Sequence, residues 1–381
     1  KELDAAQQAG LMVEMVYQVP GISGVERAIR FSRQGQFHIL RYLNGLCAAI
    51  TKSGGTIYCH TRATEISEGE VKANGQSIRA KHIVVATNSP VNDMVTMHTK
   101  QFPYRTYVVG ALISRGDIAP ALWWDSGDSN SKWPTEPYHY VRLTDYDSEH
   151  YVLIAGGEDH KTGQADKEDI LEEDRYNKLE QWVRERFPKA GKVIYRWSGQ
   201  VLEPLDGMAF IGKNPGNENI YIITGDSGNG MTHGTIGGIL VTDLIKGTQN
   251  PWAEIYDPSR LMWRTPVEFV SEALNMAAQY ADYFSKSELD TIYQLGTGEG
   301  AIINSGLKKY AIYRDENAAF HAFSAICPHL GCVLQWNQDE RSFDCPCHGS
   351  RFSCQGKLMN GPAVTDLNKI GEEEFAKKKI R

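Results

Sequence analysis

The sequence predicts an α/β domain followed by a small all-β domain. Three observations carry that prediction. An amphipathic helical pattern between Gly35 and Gly54 precedes a buried-strand run, Ile83-Val84-Val85-Ala86-Thr87-Asn88, so helix and strand alternate as in layered α/β folds. A second strand, Tyr221-Ile222-Ile223, runs through a glycine-rich loop, Thr224 to Gly234, into an apolar helix. Beyond Leu289 the pattern changes to short β-type segments around two loops of cysteine, histidine, proline and glycine, the habit of a small antiparallel fold.

In chain order, residues 1–19 are compatible with a helix that ends near Pro20-Gly21. Phe37, Leu40, Leu43, Leu46 and Ile50 then recur at helical spacing and stop at Gly54-Gly55, one apolar face with a glycine terminator. Strand-like segments follow at Thr56–His60 and Ala63–Ile66, with a turn at Asn74-Gly75 before the buried run. Further strands are expected over Thr106–Ile113, Tyr138–Leu143 and Tyr151–Ala155, after which Gly156 to His160 breaks into a charged helix over Lys167–Phe187. Tyr138, Tyr140 and Arg142 alternate on one strand face. The helix after the glycine-rich loop carries Ile236, Ile239, Leu240 and Leu244 and ends at Lys246-Gly247. Val267, Val270, Leu274, Ala277, Ala281 and Phe284 mark a helical connector over 266–285. Ala301–Ile303, Tyr310–Tyr313 and Ala319–Phe323 are the strands that lead into the last two loops.

The chain has 381 residues, 41% of them hydrophobic and 23% charged, which is the composition of two or three globular domains. A net charge of −7, with Lys377-Lys378-Lys379 offset by Glu372-Glu373-Glu374, argues against a nucleic-acid partner. No stretch approaches the roughly 18–20 apolar residues that span a bilayer, and no signal peptide opens the chain. A cytoplasmic location without a membrane anchor is therefore expected. The chain opens at Lys1 without a methionine and is expected to be a fragment.

The chemistry concentrates between residues 327 and 350. The first loop reads Cys327-Pro328-His329-Leu330-Gly331-Cys332 and the second Cys345-Pro346-Cys347-His348-Gly349-Ser350. Cys327 and Cys345 with His329 and His348 offer two thiolates and two imidazoles, which can hold a [2Fe-2S] core with sulfur ligands on one iron and nitrogen ligands on the other. The same four groups also satisfy tetrahedral zinc. Cys332 and Cys347 are left over, one in each loop, where a disulfide can tie the loops together, and a zinc site has no use for that pair. Cys47, Cys59 and Cys354 are scattered and are expected to be small buried or half-buried residues.

These motifs resemble those of the Rieske proteins of cytochrome bc and b6f complexes, and the resemblance implies the [2Fe-2S] ligand set and a Cys332–Cys347 disulfide. Gly361-Pro362-Ala363 resembles the proline loop over the cluster. Phe352 stands where the respiratory proteins often carry a tyrosine that bonds a ligand sulfur, which implies a lower potential within the family's range.

Upstream, the chain resembles FAD-dependent oxidoreductases of the D-amino-acid, glycine and sarcosine oxidase type. The resemblance is carried by Ala86-Thr87-Asn88, by Trp197-Ser198-Gly199-Gln200, by Asp206-Gly207-Met208 and Ile211-Gly212, and by the glycine-rich strand-to-helix turn. It implies FAD held by Gly225, Asp226, Gly228, Gly230, Met231 and Thr232 at a helix N-terminus, with Ala63, Ala86, Thr87 and Asn88 on the adenine side. A tight glycine turn without a ligand is the alternative. Residues 101–195 would then be the substrate-binding part, with Tyr140 and Arg142 as catalytic candidates and Arg142 gripping a substrate carboxylate. A half-exposed strand with a surface arginine is the alternative there. The Gly-x-Gly-x-x-Gly turn that opens such flavoproteins is missing, and Gly296-Thr297-Gly298-Glu299-Gly300 lacks its spacing. FAD is therefore expected in the full-length protein and is expected to be poorly held, or absent, in this chain.

The sequence reading is an incomplete FAD-oxidoreductase-like α/β domain at 1–265, a connector at 266–285 and a Rieske domain at 286–381. The implied function is flavin oxidation of an amine- or hydroxyl-bearing small molecule, with one-electron transfer through the cluster to an outside protein. An electron-carrier module whose flavoprotein half is not catalytic is the alternative. A Rieske oxygenase is disfavoured by the spare cysteine pair and by the lack of a 2-His-1-carboxylate iron motif.

Overall fold

The computed structural model describes residues 1–92, 97–127, 138–164, 175–260, 292–305 and 308–371. The expected connector, 266–285, and the Lys377–Lys379 tail lie outside them. The chain divides into two compact units, one of residues 1–61, 107–158 and 173–197, the other of residues 62–106, 159–172 and 198–381.

The chain opens with α1 (Glu2–Gln8), which is shorter than the expected helix. Gly10 takes a left-handed φ of 77°, and β-branched Val13 and Val16 then enter β1 (Val13–Val16), which pairs antiparallel with β2 (Ala28–Phe31). The expected amphipathic helix is α2 (Ile39–Lys52), and the His38 ring caps it by accepting from the Arg41 N–H. Its stripe of Leu40, Leu43, Leu46 and Ile50 is exposed, from 41% to 67%. Thr56–His60 forms no strand, contrary to expectation. The segment is exposed and His60 has a left-handed φ of 52°, which takes the chain out of the extended conformation that a ladder needs.

A three-stranded meander follows, β3 (Ala63–Ser67), β4 (Glu70–Ala73) and β5 (Gln76–Arg79), with positive φ at Asn74 (47°) and Gly75 (76°), as a primed hairpin turn requires. Next comes β6 (Ile83–Val85). The largest sheet is built from β7 (Gln101–Ser114), β8 (Leu122–Trp124), β9 (Tyr140–Asp145), β10 (His150–Lys161) and, after α3 (Arg175–Arg186), β11 (Val193–Pro204). The sheet order is β11-β7-β10-β9-β8. In the first unit, alternate residues Tyr107, Val109, Ala111 and Ile113 meet Leu143, Leu153 and the α3 face of Tyr176, Leu179 and Val183. Gly156 to His160 continues β10 instead of breaking it. The glycines are there for close approach, since a Cβ on Gly156 would lie 2.2 Å from the Tyr140 ring and one on Gly157 would lie 2.6 Å from His139.

In the second unit, β12 (Phe210–Lys213) and β6 flank β13 (Ile220–Thr224), antiparallel and parallel respectively. The helix α4 (Gly230–Lys246) packs Leu240 and Val241 on Ala209, Ile211 and Tyr221, and left-handed Gly247 ends it. A short helix, α5 (Ala253–Tyr256), follows. Two antiparallel sheets close the chain. One is β14 (Gly300–Ser305), β15 (Lys308–Arg314) and β16 (Phe320–Ser324), and the other is β17 (Gln335–Asn337), β18 (Ser342–Asp344), β19 (Arg351–Ser353) and β20 (Leu358–Asn360). Their shared core includes Ala311, Phe323, Leu334, Phe343 and Phe352. No helix of the described residues is long and apolar enough to cross a membrane.

One partly buried charge cluster in the first unit sets a pH dependence. His139 stacks on Trp182 at 4.2 Å and places Nδ1 2.8 Å from Asp125 Oδ2 and Nε2 3.0 Å from Glu158 Oε1. Lys178 Nζ reaches the other Glu158 oxygen at 2.7 Å. Burial pushes the His139 pKa down, but bonds to two carboxylates outweigh it and the net shift is upward. Burial likewise opposes the histidine bonds at Asp125 and Glu158, whose pKa values end below their ordinary range. A histidine with a raised folded pKa contributes stability that is complete below its ordinary value of 6.5 and is lost as pH rises through the folded value. The two carboxylates contribute stability that is lost on the acid side. The melting temperature of wild type should therefore exceed that of His139→Gln most just below pH 6.5, and the gap should close as pH rises. A gap constant from about pH 6 to about pH 9 would count against this reading.

Candidate functional site

The two Cys/His loops are the same turn built twice. The Cys327 N–H bonds the Cys332 carbonyl at 2.8 Å and the Gly331 N–H returns to the Cys327 carbonyl at 3.0 Å. In the second loop, the Cys345 N–H bonds the Ser350 carbonyl at 2.8 Å and the Gly349 N–H returns to the Cys345 carbonyl at 3.0 Å. The glycine stands at the same place in each, with φ of 80° and 77°, where a side chain would be strained. The disulfide Cys332–Cys347 ties the loops, with its Cα atoms 6.4 Å apart.

Cys327 and Cys345 meet in the interior as a hydrogen-bonded pair of thiols. Cys345 donates, which together with burial holds its proton on, whereas the bond it gives lowers Cys327. The N–H groups of His329 and Leu330 and the Ser350 hydroxyl also stabilise charge on Cys327. The rings of His329 and His348 are 5.0 Å apart. Burial, reinforced by neighbouring His98, lowers His329 to about 4 and His348 to about 3, so both are neutral at ordinary pH. Both ring nitrogens of His329 and Nδ1 of His348 are buried without a hydrogen-bond partner. Buried imidazole nitrogens in that state fit a metal. Cys345 Sγ lies within 4.8 Å of both disulfide sulfurs, so three sulfurs crowd one point, but the two in the disulfide are not available as thiolates.

Beneath the second loop lies a fully buried ion pair. Arg351 and Asp344 face each other across β18 and β19, with Nε 2.9 Å from Oδ1 and exposures of 0% and 1%. Ser342 and Glu340 also bind the guanidinium, at 2.7 and 3.5 Å. Ser350 is the link to the proline loop, because its hydroxyl accepts the Ala363 N–H at 2.9 Å while it donates to Cys327. The motif includes Ser350, but nothing in its spacing marks the serine as a donor to sulfur.

The glycine-rich turn lies at the ends of β6 and β13. The Thr224 hydroxyl donates to the Asn88 carbonyl at 2.6 Å, and Gln101 Nε2 donates to Thr224 Oγ1 at 2.9 Å. Gly225 (69°), Ser227 (47°) and Gly228 (70°) all have positive φ, which wraps the loop tightly into α4. That helix begins at Gly230, earlier than the sequence suggests, so Gly230, Met231 and Thr232 form its first turn, and Asn229 gives it no side-chain cap. Residues 228–232 are exposed, and a Cβ at Gly228 or Gly234 would meet nothing within 4 Å. An uncapped helix N-terminus with an open glycine face fits the electron-rich edge of a flavin. Two acids sit beside it. Burial raises both Glu203 and Asp226, and Glu203 accepts from Ser227 Oγ at 2.5 Å.

Ala86, Thr87 and Asn88 are exposed at the end of β6, beside Thr224, whereas Ala63 pairs with Ala73 in the meander. Tyr140 and Arg142 share a face of β9 in the first unit. Arg142 is half-buried and donates to the Phe37 carbonyl at 3.3 Å. Cys47 and Cys59 are exposed, not buried as expected, because α2 and the irregular stretch after it bury no residue, while Cys354 is half-buried.

The FAD dependent oxidoreductase family matches residues 1–244, and the Rieske [2Fe-2S] domain family matches residues 286–371. The Bacillus subtilis (strain 168) protein YhfW, described as a Rieske 2Fe-2S iron-sulfur protein, is 30% identical over 379 residues, covering 97% of this chain and 71% of its own. The cytochrome b6-f complex iron-sulfur subunit of Microcystis aeruginosa is 45% identical over 56 residues, 15% of this chain and 31% of that protein. In fold, glycine oxidase from Bacillus cereus superimposes with a TM-score of 0.53 at 17% identity, over 69% of this chain and 72% of that one. The chain therefore belongs to the FAD dependent oxidoreductase family and carries a Rieske [2Fe-2S] domain at its C-terminal end.

Proposed function

We propose that this oxidoreductase takes a hydride from an amine- or hydroxyl-bearing small molecule and delivers the electrons singly, through the Rieske cluster, to an outside acceptor protein. The observation that supports it best is that the paired thiols and imidazoles and the open α4 N-terminus occur in one compact unit. FAD supplies hydride acceptance when bound, and the [2Fe-2S] cluster supplies one-electron exchange. Cys327 and Cys345 would hold one iron, and His329 and His348 the other. The first N–H groups of α4 at Gly230, Met231 and Thr232, with Gly225, Asp226 and Gly228, would face the flavin, and Ala63 with Ala86, Thr87 and Asn88 would flank its adenine side. Arg142 would grip a substrate carboxylate, with Tyr140 beside it on the same strand face.

The deciding experiment mixes full-length, cofactor-loaded protein anaerobically with panels of amino acids, amines and hydroxy acids. One class should bleach the flavin and bring up the reduced-cluster electron paramagnetic resonance signal. A cluster that only external donors reduce would leave the electron-carrier reading.

Two variants probe the assigned roles. Ser350→Ala should lower the cluster potential, because one hydrogen bond that favours charge on Cys327 is lost. A redox titration with an unchanged or higher midpoint would remove Ser350 from that role. Gly230→Val should cut the flavin-to-protein ratio of the full-length protein without changing its iron, since a Cβ there meets Asp226 Oδ2 at 2.6 Å and covers the helix N-terminus. Undiminished flavin would mean that the cradle lies elsewhere.

A further inference from the structure

The histidine pair of the cluster loops meets a third imidazole from the flavoprotein part of the chain. The His98 ring lies edge-on to both, with centroids 4.9 Å from His329 and 5.2 Å from His348, so three rings close a triangle. His98 is 3% exposed, and its Nε2 is 3.1 Å from the Pro90 carbonyl, which fixes the ring. The neighbouring backbone is packed just as closely. A Cβ on Gly349 would lie 2.5 Å from Pro103 and 2.9 Å from Gln200 Nε2, and one on Gly163 would lie 2.7 Å from the Pro346 nitrogen. Gln164 Nε2 bonds the Pro346 carbonyl at 3.4 Å. Arg105, 4% exposed, locks the contact by reaching Glu340 at 3.2 Å and Ser198 at 2.5 Å. Glycines on both sides and a buried ion pair make this a seated interface and not a passing contact.

The same stretch reaches the glycine-rich turn. Gln101 bonds Thr224 at the foot of that turn, and two residues later Pro103 backs Gly349 of the second ligand loop. Two residues of strand advance about 7 Å. The flavin cradle and the ligand loops therefore share one short run of backbone at the start of β7.

We propose that the histidine edge of the cluster is a closed port, seated on His98 and the first residues of β7, which exchanges electrons only with the chain's own flavin, while the outside acceptor meets the cluster at another face. The proposal rests on the flavin-to-cluster reading given above. One electron leaves the reduced flavin and one ferric ion becomes ferrous. The cluster passes that electron to an outside one-electron acceptor protein before the second follows. His98 acts as a positioning residue that holds both ligand rings against β7.

Histidine-directed carbethoxylation of the full-length, cluster-loaded protein, mapped by mass spectrometry, tests the seating without flavin or substrate turnover. His329 and His348 should react at least about tenfold more slowly than exposed His38, because both ring nitrogens of His329 are buried and His348 is 5% exposed. His98→Ala should bring them toward the His38 rate with the cluster signal retained. Where that variant loses its cluster, His98→Asn replaces it. Wild-type His329 and His348 reacting as fast as His38, or staying protected once His98 is replaced, would overturn the closed edge. With flavin bound, His98→Ala should also slow flavin-to-cluster transfer at least about tenfold at unchanged cluster g values, and an unchanged rate would overturn the positioning role. Protected histidines in a protein that oxidises no substrate would leave the port standing and remove only the oxidase reading. Open histidines in an active enzyme would do the reverse.

Discussion

Replacing His348 with alanine should empty the two Cys/His loops of cluster iron. The residue is 5% exposed, burial holds it neutral, and its Nδ1 is buried with no protein partner, so nothing else in the loop can take over its donor role. Iron and acid-labile sulfide should fall to background, and the reduced protein should lose the low-average-g signal of a mixed nitrogen and sulfur cluster. His348→Cys should either lose the cluster too or keep it at a lower potential, since thiolate in place of imidazole moves the site toward the roughly −400 mV of all-cysteine ferredoxin clusters. Wild-type protein that contains zinc and no iron, or a His348→Ala protein with its full complement of iron, would refute the ligand assignment. The disulfide still ties the loops and the Arg351–Asp344 pair still supports the second one in the alanine variant, so iron is lost there while the fold is kept.

A large loss of stability is the expected result of Arg351→Leu. The guanidinium is fully buried, and its removal leaves the Asp344 carboxylate, 1% exposed, with the neutral partners Ser342 and Asn337 among the described residues. Breaking a buried pair from one side costs about 3–5 kcal/mol, because the remaining charge stays desolvated and unpaired. That is a large part of the roughly 5–15 kcal/mol that holds a typical domain together. Glu340 would lose one of its two arginines at the same time. Urea unfolding followed by the visible absorbance of the cluster should show the loss, and Arg351→Met combined with Asp344→Leu should recover most of it, since neither charge is then left behind. A single variant within about 1 kcal/mol of wild type would show that the pair is not supporting the second ligand loop.

The sequence alone determined the local features whose physics is local. Two loops with a glycine in the fifth place, two thiols and two imidazoles are set by residue type and spacing, and the structure closes both with the same pair of backbone bonds. The Asn74-Gly75 turn, α2 and the Gly247 end of α4 follow from φ preferences and periodicity in the same way. Tertiary structure decided what depends on partners far along the chain. Thr56–His60 has strand-type residues but joins no sheet among the described residues, and Gly156-Gly157 continues a strand because Tyr140 and His139 need the space. Arg351 carries no mark in the sequence that separates it from a surface arginine, and its burial against Asp344 follows from the register of two strands. His98 is the extreme case. It lies more than two hundred residues before His329, in a stretch with no motif, and only the packing of β7 against the ligand loops brings three imidazoles together, since contacts at that separation are written in the fold and not in any local pattern.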